Sequence, residues 1–366
     1  MTQLRNKASD SQHENQPVPR GATAKRFLII LSVLIGALLI TGFTGYLILN
    51  AITGSRHDST AVAAGITVTT FATVPGDTAY PIGIARSPEG TIYVTAFGNG
   101  AIYKAATDGT LAPWVQVKPN TSGNINGITA PAALIVGPNG SLYVIDFNSS
   151  KPGTAVGSLK QITPDGTVTA FNGGSGNQQA NGGLSFLSHL AFDNQGNLYV
   201  TFTATGEVWR YPPNSLGSSW LKLVTVNSSS SSSPTAAQPT GITYDKTQNA
   251  MVIADAASGT IYRAMINADG TAAQPLVLYR QAGLALQSVT YDDNGNLLLT
   301  AWQHDNGQLA RLESNGTYTL LAQSFREPSD VLAVGHKAYV VNSDLLGLTP
   351  LLHPNPPFTV DMVLIP

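Results

Sequence analysis

The sequence contains no cysteine and few charged residues. Without cysteine, disulfide bonds and thiolate metal sites are both excluded. Charged residues make up 11% of the chain, against roughly 25% in an average soluble domain. The net charge of −2 and the lack of a basic stripe in the folded part give no reason to expect nucleic-acid binding. The polar surface must come from Ser, Thr, Asn, Gln and the 36 glycines, a composition that suits short strands joined by tight turns.

One long apolar segment stands apart from the rest of the chain. Between Phe27 and Ser55 there is no charged residue, and the run FLIILSVLIGALLITGFTGYLIL ends at Leu49. As a helix this run would span about 35 Å, which exceeds the roughly 30 Å hydrocarbon core of a bilayer. The sequence therefore predicts an uncleaved transmembrane anchor over residues 27–52. The alternative is a cleaved signal peptide with a small-residue site at Ala61-Val62-Ala63, although its apolar run is normally only about 7–15 residues long.

The charges on either side of this segment predict its orientation. Residues 1–26 carry five basic and two acidic residues, whereas Arg56 and Asp58 cancel on the other side. Because basic residues accumulate on the cytoplasmic side of a membrane, we expect a disordered cytoplasmic tail over residues 1–26, a single-pass anchor in the cell membrane and an extracytoplasmic domain. Residues 53–65 are then the linker between the anchor and the domain.

The remainder of the chain is built from six similar units. One reads PIGIARSPEGTIYVTAFGNGAIYKAATDGT from Pro81, and another reads LSHLAFDNQGNLYVTFTATGEVWRY from Leu187. Each unit offers four short strand-like runs separated by Asn-Gly, Asp-Gly or Ser-Gly, which are hairpin signals. The turns before the second strands are 41 to 56 residues apart and contain Gly90, Gly140, Gly196, Asn249, Gly295 and His336. This pattern predicts an all-β fold, a six-bladed β-propeller over residues 66–366.

The last unit lacks its outer strand, and a segment at the start of the domain matches the missing one. The C-terminal run FTVDMVLI from Phe358 must supply the third strand of this unit. The run TVTTF from Thr67 nearly repeats TVTAF from Thr167, an outer strand of the second unit. We therefore predict that Ile66–Val74 completes the last blade and closes the ring, because otherwise both segments would expose unpaired strand edges.

Two rings of side chains are expected at one mouth of the central channel. In a propeller the innermost strand of each blade begins, and the second strand ends, on the same face. A ligand, either a small molecule or a protein, would bind at this concavity. The candidate binding residues at the channel rim are Asp146, His189, Thr240, Asp255, Gln287, His304, Asp330 and Asn342.

Several of these candidates also have a purely structural interpretation. Asp146 and Asp255 could accept backbone N–H bonds in the next turn, and His189 and His304 could be ordinary histidines. Neither histidine has a Ser or Cys motif beside it that would suggest a catalytic triad. The sequence therefore predicts no catalytic residue.

The repeat resembles the NHL-type repeat and, across almost all of residues 66–366, the senescence-marker-protein/gluconolactonase/luciferin-regenerating propeller family. The pattern PxG…DG.LYV.D…G.I.R carries the resemblance. It implies a divalent metal, typically calcium, in the channel mouth and the opening of lactones or related esters by a metal-activated water. The positions that match the family's ligands hold Ile82, Thr240 and Gln287, none of which is a carboxylate. Because calcium requires roughly six to eight oxygen ligands with anionic charge among them, we expect no cofactor.

Three functional hypotheses remain. The first is a membrane-anchored extracytoplasmic propeller that acts as a ligand- or protein-binding or scaffold module without catalysis. The second is a divergent lactonase-like hydrolase with a metal site relocated to Asp146, Asp255, Asp330 and Asn342. The third, a lyase-like propeller that acts on a cyclic ester, depends only on general similarity of the repeats. Because one fold hosts many activities, the site must decide among them.

Overall fold

The structure is a computed structural model that describes residues 58–116, 127–147, 157–170, 187–213, 221–226, 237–303, 306–348 and 354–366. The chain divides into two compact units, Met1–Ile52 and Thr53–Pro366, and the described residues all belong to the second. The predicted tail, the predicted anchor and His304 lie outside the described residues. Within the described ranges, no helix combines the length and the apolar character needed to cross a membrane.

The described residues form six antiparallel sheets, as the repeats predict. Strands β1 (Thr60–Ala61) and β2 (Thr67–Val74) precede the first complete blade. Blades 1 to 3 consist of β3 (Pro81–Arg86), β4 (Ile92–Ala96), β5 (Ala101–Ala105), β6 (Leu111–Gln116), β7 (Ala130–Val136), β8 (Leu142–Phe147), β9 (Gly157–Ile162), β10 (Val168–Ala170), β11 (Leu187–Phe192), β12 (Leu198–Phe202), β13 (Glu207–Tyr211) and β14 (Leu221–Thr225), four strands to a blade.

The second half of the domain follows the same plan. Blades 4 and 5 consist of β15 (Pro239–Asp245), β16 (Ala250–Asp255), β17 (Thr260–Met265), β18 (Leu276–Arg280), β19 (Ala285–Tyr291), β20 (Leu297–Gln303), β21 (Asn306–Leu312) and β22 (Tyr318–Phe325). Blade 6 contains β23 (Pro328–Val334), β24 (Lys337–Asn342) and β25 (Phe358–Leu364), and a 3-10 helix, Leu345–Leu348, follows β24.

The six blades form a closed ring. The innermost strands β3, β7, β11, β15, β19 and β23 contact one another in that order, and β23 contacts β3. Six apolar clusters fill the ring, one between each pair of neighbouring blades. Each blade therefore buries both of its faces against its neighbours, which explains why its strands read as nearly continuous apolar runs.

The N-terminal part of the domain closes the ring, which confirms the predicted closure. Strand β2 pairs antiparallel with β25, from Thr67 beside Leu364 to Val74 beside Phe358. One feature of the segment expected to be a linker differs from that interpretation. Within residues 53–65, β1 pairs with β22 at the outer edge of blade 5, so the chain is attached to blade 5 before it completes blade 6.

The turns between the first and second strands contain left-handed residues. Five of the predicted positions have positive φ angles of 49° to 97°: Gly90, Gly140, Gly196, Asn249 and Gly295. In blade 6 the left-handed residue is Gly335, with φ of 56°, and the predicted His336 follows it in the same turn. The one-residue difference follows from chemistry, because glycine has no Cβ to oppose this conformation.

Every innermost strand has a register shift close to its start. In blade 3, Leu187 pairs with Phe202 and Leu190 pairs with Val200, so one extra residue is accommodated between them. The other five blades have the same irregularity. Such a bulge interrupts the alternation of side chains along a strand and changes their direction.

Candidate active site at the floor of the channel

The predicted strand arrangement at the channel mouth is present in all six blades. Each innermost strand begins beside the end of the second strand. The backbone pairs are Pro81–Ala96, Pro131–Asp146, Leu187–Phe202, Pro239–Asp255, Leu286–Ala301 and Pro328–Asn342. The side chains at these positions nevertheless have different hydrogen-bond partners.

Asp146 holds the chain that enters its own blade. Its Oδ1 accepts the backbone N–H of Thr129 at 2.8 Å and that of Ala130 at 2.9 Å. Burial raises the pKa of Asp146 to about 6, although these two hydrogen bonds and the nearby Lys160 ammonium act in the opposite direction. Asp146 therefore has a structural role, since it fixes the chain that enters its blade, and its pKa is raised.

Asp255 has the same role in blade 4. It is fully buried, and its Oδ1 accepts the backbone N–H of Gln238 at 2.7 Å and that of Ala257 at 3.1 Å. The Oγ of Ser258 donates to its other oxygen. All of these donors lie in the two loops that flank the strand pair, so the carboxylate fixes both loops.

Asn342 has the corresponding role in blade 6. Its Oδ1 accepts the backbone N–H of Arg326 at 2.9 Å, and its Nδ2 donates to Asp361 at 2.8 Å and to Thr359 at 3.0 Å. The Asn342 side chain lines a cavity of about 250 Å³ beside the closing strand β2. Ser59, which precedes β1, donates a hydrogen bond to Asp361 in the same cavity.

Thr240 and Gln287 bind backbone carbonyls. The Oγ1 of Thr240 donates to Leu286 O in the next blade at 2.9 Å and to Ala254 O at 3.3 Å. The Nε2 of Gln287 donates to Ala285 O at 3.3 Å. Thr240 therefore links two blades, whereas the half-buried Gln287 amide makes a local contact.

His189 and Asp330 meet although they belong to blades 3 and 6. The distance between His189 Nε2 and Asp330 Oδ1 is 3.6 Å, and the two side chains are 12% and 10% exposed. His189 Nε2 is buried and has no hydrogen-bond partner within normal bonding distance. An imidazole and a carboxylate therefore form the floor of the channel mouth.

Asp330 is held in place from three directions. Its Oδ1 accepts the Ser288 hydroxyl at 2.7 Å and the backbone N–H of Val331 at 2.8 Å, and its Oδ2 accepts the backbone N–H of Ile84 at 3.0 Å. These donors come from blades 5, 6 and 1. These three hydrogen bonds fix the oxygen that faces His189.

The contact across the channel depends on small residues elsewhere in the ring. The third position of the innermost strand is His189 in blade 3, but it is Gly83 in blade 1 and Gly241 in blade 4. A Cβ on Gly241 would lie 2.7 Å from the backbone nitrogen of Val289, and one on Gly83 would lie 2.6 Å from Ala132 O. A side chain at either glycine would therefore collide with the backbone of the next blade.

A set of buried threonines in the second strands positions these residues, and the sequence analysis missed them. Thr201 Oγ1 accepts the backbone N–H of His189 at 2.9 Å and donates to Thr240 O of the next blade at 2.7 Å. Thr95 joins blades 1 and 2 in the same way. The signal was the repeated IYVT, LYVT and LLLT motif of blades 1, 3 and 5, in which Thr replaces the apolar residue of blades 2, 4 and 6.

The bulge in β11 brings a further residue into the site. Ser188 Oγ lies 3.2 Å from His189 Nδ1. Consecutive residues in a regular strand point to opposite faces, and the register shift between Leu187 and Leu190 permits this contact. Ser188 and His189 are therefore adjacent in space as well as in sequence, a contact that no Ser or Cys motif predicted.

The calcium site implied by the family resemblance does not fit the residues described. In this part of the chain no three His, Cys, Asp or Glu side chains come together as a metal site would require. Ile82, Thr240 and Gln287 provide no carboxylate, and Asp146 and Asp255 already bind backbone N–H groups. The relocated set is also divided, since Asp330 faces the channel whereas Asn342 lines a separate cavity.

A larger cavity lies at the other end of the blades. It measures about 620 Å³ and is formed by turns of blades 4 and 5. Inside it, Asp245 binds Arg263 at 3.0 Å and accepts the Tyr291 hydroxyl at 2.9 Å. Burial raises the pKa of Tyr291 to about 12. Because its buried acid is committed to Arg263 and Tyr291, we place the candidate site at the channel floor.

Comparison with solved structures identifies the architecture. Virginiamycin B lyase from Staphylococcus aureus matches with a TM-score of 0.54 and 15% sequence identity, over 82% of this chain and 100% of that one. A gluconolactonase from Xanthomonas campestris matches with a TM-score of 0.60 and 12% identity, over 85% of this chain and 96% of that one. The fold is that of the lyase and lactonase propellers.

At this level of identity the likeness establishes the fold alone. No protein-family profile matches the sequence, and no curated protein matches it either. The two similar structures have names that describe different reactions, so the chemistry of this propeller must be argued from its own residues.

Proposed function

We propose that this chain is a membrane-anchored propeller that binds a neutral polar ligand at its channel mouth without metal-dependent catalysis. The proposal is supported mainly by the hydrogen bonds that the rim carboxylates already make. Asp146 and Asp255, the two acids expected to coordinate a metal or a charged ligand, are occupied by backbone N–H groups. The half-buried groups near the mouth, such as Ser188 and Gln287, are neutral hydrogen-bonding groups.

The polarity of the mouth argues for a neutral ligand. Hydroxyl and amide groups donate and accept hydrogen bonds without the desolvation cost of a full charge. The Asp330 carboxylate already receives three hydrogen bonds, so it would repel an anion and has little capacity left for a cation. A neutral molecule with several hydroxyl, ester or amide groups fits this chemistry best.

A titration of the full chain in detergent tests the binding proposal. We expect neutral sugar lactones and neutral cyclic peptides to raise the melting temperature, and Gln287→Ala to reduce that rise. The effect should be the same with EDTA as with calcium. Hydrolysis of glucono-lactone that requires a divalent ion, or saturable calcium binding by calorimetry, would replace this proposal with the relocated metal site.

The natural absence of cysteine allows a direct test of the anchor. We propose that residues 27–52 cross the membrane with residues 1–26 in the cytoplasm, as the apolar run and the basic tail indicate. A membrane-impermeant maleimide should label Ser314→Cys, in an exposed turn of blade 5, in intact cells. It should label Ser11→Cys only after permeabilisation, and the reverse pattern would contradict the orientation.

A further inference from the structure

The channel floor contains more than a binding surface. Ser188, His189 and Asp330 form a connected series in which the hydroxyl contacts one imidazole nitrogen and the carboxylate faces the other. We propose that Ser188 is a nucleophile activated by His189, and that the site hydrolyses neutral carboxylic esters through an acyl-serine intermediate without a metal. The inference rests on the proposed binding at the mouth, because the substrate would be the ligand held there.

The geometry assigns the protons. The Nε2 of His189 is buried, and its nearest polar group is the Asp330 carboxylate at 3.6 Å. A proton on Nε2 is attracted by this carboxylate, whereas a lone pair there would be repelled by it. The neutral imidazole therefore carries its proton on Nε2, which leaves the Nδ1 lone pair directed at the Ser188 hydroxyl, 3.2 Å away.

Asp330 is the positioning residue of this series. Hydrogen bonds from Ser288, Val331 and Ile84 fix the orientation of its carboxylate. Thr201 fixes the backbone of His189 from the other side. The imidazole is thus held between a serine and a carboxylate, as nucleophilic catalysis requires, and a contact of 3.6 Å can shorten when the imidazole becomes charged.

The reaction balances with these groups and water. Ser188 Oγ attacks the ester carbonyl carbon while its proton passes to His189 Nδ1, and the imidazolium is stabilised by Asp330. Collapse of the tetrahedral adduct breaks the bond to the alcohol oxygen, which takes the proton from Nδ1. Water then attacks the acyl-serine and gives its proton to Nδ1. The carboxylic acid leaves, and the proton returns from Nδ1 to the serine.

The arrangement is confined to blade 3. The residue two positions after the rim pair on the innermost strand is Gly83, Ala133, His189, Gly241, Ser288 and Asp330 in blades 1 to 6. Only His189 can act as a general base near neutral pH in this set. All six innermost strands carry the bulge. The bulge is therefore a general feature of this propeller, whereas the pair of Ser188 and His189 belongs to blade 3.

Covalent labelling of the full chain in detergent tests the proposal. A fluorophosphonate probe should label the wild-type protein at Ser188, located by peptide mass spectrometry, and EDTA should not prevent it. Ser188→Ala should abolish labelling, and His189→Gln should slow it by about 100-fold or more.

A matched serine provides the control. Ser158 is also half-buried and donates to the carbonyl of Asp146 at 3.0 Å, so Ser158→Ala should label like the wild type. Near-ultraviolet circular dichroism shows whether each variant is folded. Folded protein that binds neutral ligands at the mouth but is not labelled at Ser188 overturns the nucleophile and leaves the binding function intact. If the wild type binds no neutral ligand at the mouth, both the nucleophile and the binding function are overturned.

Discussion

Asp255 and Asp330 are two buried aspartates of the same ring, and they have different partners. Asp255 binds the N–H groups of its own flanking loops and so fixes a single blade. Asp330 accepts hydrogen bonds from three blades and faces the imidazole of a fourth. The comparison shows that the aspartate at the end of a second strand binds groups of its own blade, whereas the aspartate beside the bulge of an innermost strand binds groups of several blades.

The largest expected effect concerns the rim. Asp255→Leu removes the acceptor for the backbone N–H groups of Gln238 and Ala257 and for the Ser258 hydroxyl. A hydrogen bond contributes about 0.5–1.5 kcal/mol, so for three bonds we expect a loss of about 3 kcal/mol in the free energy of unfolding, measured by urea denaturation of the full chain in detergent. Asp255→Asn, which retains the Oδ1 acceptor, is the control and should lose about 1 kcal/mol. Equal losses would show that these hydrogen bonds are not the cause.

A second effect appears as a pH dependence. Burial raises the pKa of Asp146 to about 6 in the folded chain, above the value of about 3.9 expected when unfolded. The folded state therefore binds the proton more tightly, so the contribution to stability is complete below about pH 4 and is lost as the pH rises through about 6. Asp146→Asn removes this ionisation while keeping an acceptor for Thr129 and Ala130.

The measurement is the difference between the wild type and this variant at two pH values. We expect Asp146→Asn to gain about 2–3 kcal/mol relative to the wild type between pH 4 and pH 7.5. Asp255→Asn makes the same substitution at a second rim position, and its stability at the two pH values is measured for comparison. A constant difference between Asp146→Asn and the wild type across this range would show that the buried carboxylate does not change its protonation there.

The smallest effect separates the floor from the rim. Ser288→Ala removes one hydrogen bond to Asp330, and Ser258→Ala removes one to Asp255. Each should cost about 1 kcal/mol in stability, because alanine leaves no new buried polar group. Only Ser288→Ala should also change ligand affinity at the mouth, measured by the shift in melting temperature with neutral lactones. Equal effects of both variants on affinity would remove the distinction between the two regions.

The architecture was predictable from the sequence because it depends on local and repeated signals. Six similar units, turn glycines at matching positions and a near copy of an outer strand at Thr67 were sufficient for the ring and its closure. The pairing of β1 with β22 was not predictable, since two residues, Thr60 and Ala61, carry no strand pattern of useful length. The alignment of the repeats placed His336 at the turn position of blade 6, one residue after Gly335, because the repeat is weakest in that blade.

The site was harder to predict than the fold. The structural interpretation of Asp146 and Asp255 was available, since a strand-end aspartate commonly accepts backbone N–H bonds. The contact of His189 with Asp330 could not be read from the chain, because it joins opposite sides of the ring. The contact of Ser188 with His189 was hidden by the assumption of alternating side chains, which the bulge in β11 breaks.

The pairing of β2 with β25 also has a consequence for biosynthesis. Val74 leaves the ribosome about 280 residues before its partner Phe358, which at roughly 5–20 residues per second is a delay of roughly 15 to 60 s. During this interval β2 has no complementary edge to join, and the ring stays open at that point. Completion of the domain therefore waits until Phe358–Leu364 has been synthesised, and a chain truncated before Phe358 leaves β2 permanently without its partner.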